Sequence, residues 1–254
     1  MIAEGVAALF GLVVGSFLTV VTARVPVGES IASPGSHCPL CGVPIRPVDN
    51  VPLLSYVLRR GRCRACAARI PLRYPAIEFA TACLFAAVTA RVPTHRAAPA
   101  YCVLAAGLVA LTVVDLERFR LPTPIIASTA AVGLPLLLLP ALAAHDLASL
   151  VRVPIAGAVG FALLGLVFVV SPRGIGFGDV RLAGLCSAFL GWLGYRVAAV
   201  GLVLAFLSAG IIAIGLLVAG RAGRKTRLPF GPFLATGTAA AILFGPDLAR
   251  VWLG

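Results

Sequence analysis

Gly174-Ile175-Gly176-Phe177-Gly178-Asp179 leads directly into the apolar run Val180 to Gly194. Three glycines in five residues permit backbone conformations and close approaches that side chains forbid. The stretch therefore reads as an irregular, tightly packed turn that presents a carboxylate at the mouth of a membrane-length segment. An ionisable group there is costly and marks a functional site by default. The chain has only nine acids, so partners for Asp179 are few.

The surrounding composition fits that reading. Of 254 residues, 60% are hydrophobic and 12% charged, and the mean hydropathy is +1.04. These values describe a polytopic membrane protein rather than a soluble domain. At roughly 20 residues per crossing, the length accommodates about eight spans. We expect an all-α membrane protein with spans near residues 3–23, 74–92, 99–116, 123–140, 153–171, 180–195, 197–219 and 230–249. The net charge of +12 would suggest nucleic acid on a soluble chain. Here the basic residues lie between apolar runs, so the expected partner is the lipid bilayer and not nucleic acid.

Positive charge first appears at Arg24, so the N-terminus is expected outside and is not read as a cleavable signal peptide. Alternate links then place Arg24, Arg46, Arg59, Arg60, Arg62, Arg64, Arg69, Arg73, Arg118, Arg120, Arg173, Arg181, Arg221, Arg224, Lys225 and Arg227 on the cytoplasmic side. The outer side receives Arg91, Arg96, Arg152, Arg196 and Arg250. This asymmetry sets the orientation and puts Asp115 and Asp179 near the cytoplasmic face. Small residues at Gly5, Gly11, Gly15 and Ser16 suit close packing of the first span. No repeat stands out. The expected division is a first transmembrane helix at 1–24, a cytoplasmic loop at 25–73 and a transmembrane core at 74–254.

The loop at 25–73 contains Cys38-Pro-Leu-Cys41 and Cys63-Arg-Ala-Cys66. Two such pairs supply four thiolates from two tight turns, enough for a closed tetrahedral zinc site of structural type. Disulfides compete with this reading, but a cytoplasmic loop keeps its thiols reduced. His37 reads as a bystander. Cys83, Cys102 and Cys186 lie in apolar spans as small hydrophobes.

Glu78, Asp115 and Asp179 abut or enter apolar segments. Two aspartates at one membrane face suit an aspartyl protease, in which one carboxylate activates water and the other, protonated, polarises the scissile carbonyl. The same acids would serve a proton-coupled transporter. The plainer alternative pairs Asp115 with Arg118 and Asp179 with Arg181 at helix ends. Glu78 reads as an anchor to Arg73 or Arg69. A non-catalytic scaffold held by the cysteine loop is a third reading of the whole.

Several motifs in order resemble the bacterial type IV prepilin peptidases, of the GxGD aspartyl protease class. These are Gly15-Ser16-Phe17-Leu18 with Arg24-Val25-Pro26, then His37 through Glu78 with both cysteine pairs, Asn50 to Tyr56 and Tyr74-Pro75-Ala76-Ile77-Glu78. Asp115 with Leu121-Pro122, Gly176-Phe177-Gly178-Asp179 and Pro229 to Phe233 follow. The family usually has Asn at the position of Thr19, and an acid or Asn at that of Thr123. The resemblance implies catalytic Asp115 and Asp179, supported by Pro122, Gly176, Gly178 and Glu78. It implies cleavage of prepilins or pseudopilins at the cytoplasmic face of the bacterial inner membrane, after a glycine ending a basic leader. It further implies N-methylation of the new terminus from S-adenosylmethionine. No glycine-rich motif on a strand–turn–helix unit marks a site for that cofactor.

Overall fold

The computed structural model describes residues 2–171, 174–221, 223 and 226–253, with side chains omitted at 246 and 249–253. Arg173, Arg224 and Lys225, assigned above to the cytoplasmic side, lie outside the described residues, as does the side chain of Arg250. The described residues form nine α-helices: α1 (Ile2–Arg24), α2 (Leu54–Leu58), α3 (Arg73–Arg91), α4 (Ala98–Arg118), α5 (Thr123–Ala143), α6 (Leu147–Val170), α7 (Phe177–Leu193), α8 (Tyr195–Val218) and α9 (Gly231–Leu253). No strand occurs among them, only two isolated bridges in the cysteine loop. The all-α expectation is met.

Five helices are long and apolar enough to cross a membrane: α1 with its short extension to Val27, α4, α5, α6 and α8. The other three long helices fall short of that measure for visible reasons. α3 carries Arg73, Glu78 and Arg91, α7 has only 17 residues, and the apolar part of α9 is Gly231–Gly245.

The chain divides into two compact units, Met1–Ala90 and Arg91–Gly254. In the first, α1 and α3 form a close antiparallel pair. A Cβ on Gly11 would lie 2.8 Å from the Ala82 Cα, and one on Gly15 would lie 2.6 Å from the Glu78 Cα. Only glycine admits this approach, as the small-residue content of the first span suggests. The buried Thr19 turns its hydroxyl back to the Ser16 carbonyl at 2.7 Å.

In the second unit α7 is the central helix, packed against α5, α6, α8 and α9. Small residues on both sides bring α6 and α7 together: a Cβ on Gly157 would meet Ala188 at 3.1 Å, and one on Gly184 would meet Phe161 at 3.1 Å. Aromatic residues fill the rest. Tyr101 of α4 is fully buried, meets Phe189 edge-on at 5.7 Å and donates to the Phe189 carbonyl. A polar tip bonded inside an apolar body is the usual way to bury tyrosine.

Candidate active site and thiolate centre

The two buried aspartates stand at opposite kinds of helix end. Asp179 occupies the first turn of α7, where its Oδ2 accepts a hydrogen bond from the Gly176 backbone N–H at 2.9 Å. This is half of a capping box; the reciprocal half is missing because glycine has no side chain. The amide dipoles of a helix start favour a carboxylate. Asp115 lies in the last turn of α4, where the same dipoles oppose a negative charge. Its compensation comes from far along the chain: the Gly231 N–H, at the start of α9, donates to Asp115 Oδ2 at 2.9 Å.

Leu121 ties these elements together. A Cβ on Gly231 would lie 2.7 Å from Asp115 Oδ2 and 3.0 Å from Leu121 Cδ2, while one on Gly178 would lie 2.9 Å from Leu121 Cβ. Leu121 thus sits between the two glycines, and the Leu121-Pro122 link that runs from α4 to α5 packs its leucine against the start of α7. Asp115 borders Gly231 beside Leu121, and Leu121 in turn borders Gly178, next to Asp179 in the chain. Asp115 is 5% and Asp179 8% exposed, so a charge on either is poorly screened.

Neither carboxyl forms an ion pair with the arginine that follows it. Arg181 donates from Nη1 to Thr123 Oγ1 at 2.7 Å and lies over the Phe177 ring at 5.1 Å. Asp179 Oδ1 is buried without a hydrogen-bond partner. The helix-end ion pairs expected as the plain alternative are therefore not formed. The structure brings together Asp115, Asp179, Gly176, Gly178 and the Leu121-Pro122 link. It adds Gly231 and the Arg181–Thr123 bond, which residue types alone did not mark. Phe230-Gly231-Pro232 was visible as a motif, but a backbone donor leaves no side-chain signature.

In the first unit, Cys38, Cys41, Cys63 and Cys66 converge with all four Sγ atoms within 4.8 Å of one another. Cys38 and Cys66 are 3.9 Å apart at sulfur. Four thiolates at ~2.3 Å from a tetrahedral zinc would stand ~3.8 Å apart, so the cluster fits that ion. None of the seven cysteines is joined in a disulfide. His37 turns its Nδ1 to the Gly35 carbonyl and stays outside the cluster.

The two turns are built alike. The Cys38 N–H donates to Val43 O and Gly42 N–H to Cys38 O; the Cys63 N–H donates to Ala68 O and Ala67 N–H to Cys63 O. The bridges His37–Pro44 and Arg62–Arg69 close each turn at equivalent positions, and Gly42 and Ala67 both take positive φ, at 68° and 56°. A short repeat is present after all, written in backbone geometry and nearly invisible in side chains. Amides of Cys41 and Leu40 aimed at Cys38 hold its thiol down to about 6, whereas Cys66 is pushed up to about 11. Asp49 steadies the span between the turns by pairing with Arg59 and Arg64. Glu78 is an anchor, and its Oε2 accepts from the Leu53 N–H at 2.8 Å, ahead of α2.

Comparison with known proteins agrees with this architecture. The family model for the bacterial peptidase A24 N-terminal domain matches residues 9–92, and that for the type IV leader peptidase family matches residues 102–219. Three proteins named prepilin leader peptidase/N-methyltransferase illustrate the similarity. The one from Bacillus subtilis is 31% identical, covering 96% of both chains. The one from Pseudomonas aeruginosa is 32% identical, covering 96% of this chain and 91% of its own. The one from Burkholderia pseudomallei is 34% identical, covering 94% and 84%. No solved structure matches. Five membrane-length helices and the family matches together make this a multi-pass, all-helical membrane peptidase. The chain belongs to the type IV leader peptidase family.

Proposed function

We propose that the chain removes the leader from prepilins or pseudopilins at the cytoplasmic face of the bacterial inner membrane, with Asp115 and Asp179 as the catalytic pair. The observation that carries this reading is a buried carboxyl, Asp179, with no cationic partner and one oxygen unbonded, separated from a second buried carboxyl, Asp115, by the Leu121 side chain and two glycines. Like charges so placed share a proton. One carboxylate takes a proton from water as its oxygen attacks the scissile carbonyl. The other, protonated, donates a hydrogen bond to the carbonyl oxygen. Collapse of the tetrahedral intermediate breaks the C–N bond, and the departing amine takes a proton from the pair. The backbone donors at Gly176 and Gly231 orient each carboxyl without spending a charge on it.

In this reading residues 1–24 form a membrane helix, 25–73 the zinc loop and 74–254 the peptidase core, with eight crossings in all. Zinc held by Cys38, Cys41, Cys63 and Cys66 is structural, because four thiolates leave no open coordination position. The relatives' names carry N-methyltransferase, and we extend that activity to this chain with S-adenosylmethionine as donor. The donor supplies an electrophilic methyl group to the new terminal amine. No residue is assigned to that donor.

Reconstitution in liposomes with a prepilin tests the peptidase reading. A product shortened by the leader is the expected result. An uncut substrate together with acid-dependent solute uptake would instead support the transporter.

Two further outcomes follow from the site. Gly231→Ala drives a methyl group into Asp115 and Leu121, and a displacement near 1 Å costs about 10²-fold. We expect kcat to fall by about that factor with KM nearly unchanged, measured by single-turnover cleavage. Thr123→Val and Arg181→Gln each remove one charge-assisted bond worth about 1.5 kcal/mol. Each lowers the melting temperature slightly, and the double variant falls no further, because both changes remove the same contact.

A further inference from the structure

We propose that the exposed apolar face of α2 beds into the lipid interface, with the arginines around it at anionic headgroups. This inference needs only a membrane-embedded chain and not the catalytic reading. The approach of Gly11 to Ala82 and of Gly15 to Glu78 makes α1 and α3 antiparallel. The chain therefore leaves α1 at Arg24 and enters α3 at Arg73 at one end of the pair. The segment between is tethered at both ends to the membrane boundary.

A second tie sets its height. Glu78 stands five residues into α3, about 7.5 Å along its axis, and accepts from the Leu53 N–H. The start of α2 is thus held beside the first turns of α3.

The faces of α2 are sharply unequal. Ser55 is buried, accepts from the Val51 N–H and donates to the Val48 carbonyl. Leu54, Val57 and Leu58, at the i, i+3 and i+4 positions that share one face, are 55%, 69% and 74% exposed. Leu40, Val48 and Leu72 of the same unit are also exposed. Large apolar side chains grouped on one short helix mark a binding surface.

Charge identifies what it binds. Residues 25–73 carry seven arginines against two acids, Glu29 and Asp49. Asp49 is taken by Arg59 and Arg64. Arg46, Arg60, Arg62 and Arg69 are exposed, and Arg60 and Arg62 lie within four residues of the end of α2. An apolar helix face with exposed arginines close by in the chain is the pattern of an interfacial segment on anionic lipid.

The test places the photo-crosslinker p-benzoylphenylalanine at Leu58, and separately at Leu54, in the full chain. Nanodiscs of phosphatidylcholine with or without phosphatidylglycerol supply the lipid. Positions Val203, exposed on the membrane-length α8, and Glu29, exposed in the loop, set the lipid and water limits. We expect lipid adducts at Leu58 and Leu54 several-fold above Glu29 and close to Val203. We expect a rise with phosphatidylglycerol that Arg60→Gln with Arg62→Gln abolishes. Yields at the Glu29 level, or adducts to another part of the chain, would overturn the proposal. Lipid adducts indifferent to phosphatidylglycerol would overturn its headgroup component.

Discussion

Replacing Asp179 or Asp115 by alanine lowers prepilin cleavage by at least about 10³-fold, the scale on which acid–base groups contribute, while the protein still inserts in the membrane. The two residues are equivalent in this outcome, since the pair needs both members to hold one proton. They differ in stability. Asp179 satisfies the Gly176 amide at a helix start, so its loss frays the first turn of α7. Asp115 opposes the dipole of its own helix end, so its loss relieves that repulsion and leaves only the Gly231 N–H without an acceptor. Asp115→Ala is therefore expected to melt no lower than Asp179→Ala, read by thermal unfolding in detergent. Wild-type cleavage by both variants would remove the catalytic assignment.

Serine at Cys38 and Cys63 takes one ligand from each turn. Structural zinc contributes apparent binding energies of order 10–16 kcal/mol in small sites, far more than the few backbone bonds in each turn supply. We expect the double variant to lose its metal, to expose residues 36–69 to protease, and to cleave prepilin more slowly by an indirect route. Elemental analysis and limited proteolysis read the first two effects. Acid acts in the same direction. The backbone amides that hold the Cys38 thiol near 6 favour the thiolate. Their contribution is complete above the ordinary thiol range and is lost as pH falls through about 6, while Cys66 resists deprotonation in the metal-free loop. Zinc must displace protons from these thiols, so its affinity falls as the pH is lowered and chelators strip it more readily below neutrality.

Much of this arrangement was legible in the residues. Apolar runs separated by arginine gave the long helices, because membrane-length hydrophobicity needs no tertiary context to be recognised. The two cysteine pairs announced a cluster, since four thiols at knuckle spacing have few other uses. Scarcity did the same for Asp115 and Asp179. What could not be read is carried by backbone. The Gly231 N–H reaches Asp115 across 116 positions of sequence, and no side chain records it. The two cysteine turns repeat in hydrogen bonds and φ angles, while their residues differ at nearly every non-cysteine position. Arg181 looked like a partner for its neighbour Asp179, yet on the helix surface it points to Thr123. That bond also gives the uncharged Thr123, where the resembled family commonly has an acid or Asn, a defined role. Glu78 was read as an anchor to Arg73 or Arg69; the Leu53 amide that donates to it is not a partner that charge counting could find.

The central claim is that Asp179 is part of a proteolytic carboxyl pair. The most direct test co-expresses the chain with a prepilin and compares wild type with Asp179→Asn by substrate mass. Asparagine keeps the shape and an acceptor for the Gly176 N–H but cannot carry the shared proton. Loss of a leader-sized fragment with wild type alone is the predicted result, and a further gain of one methyl group would add the transferase. Equal cleavage by wild type and Asp179→Asn would contradict the account.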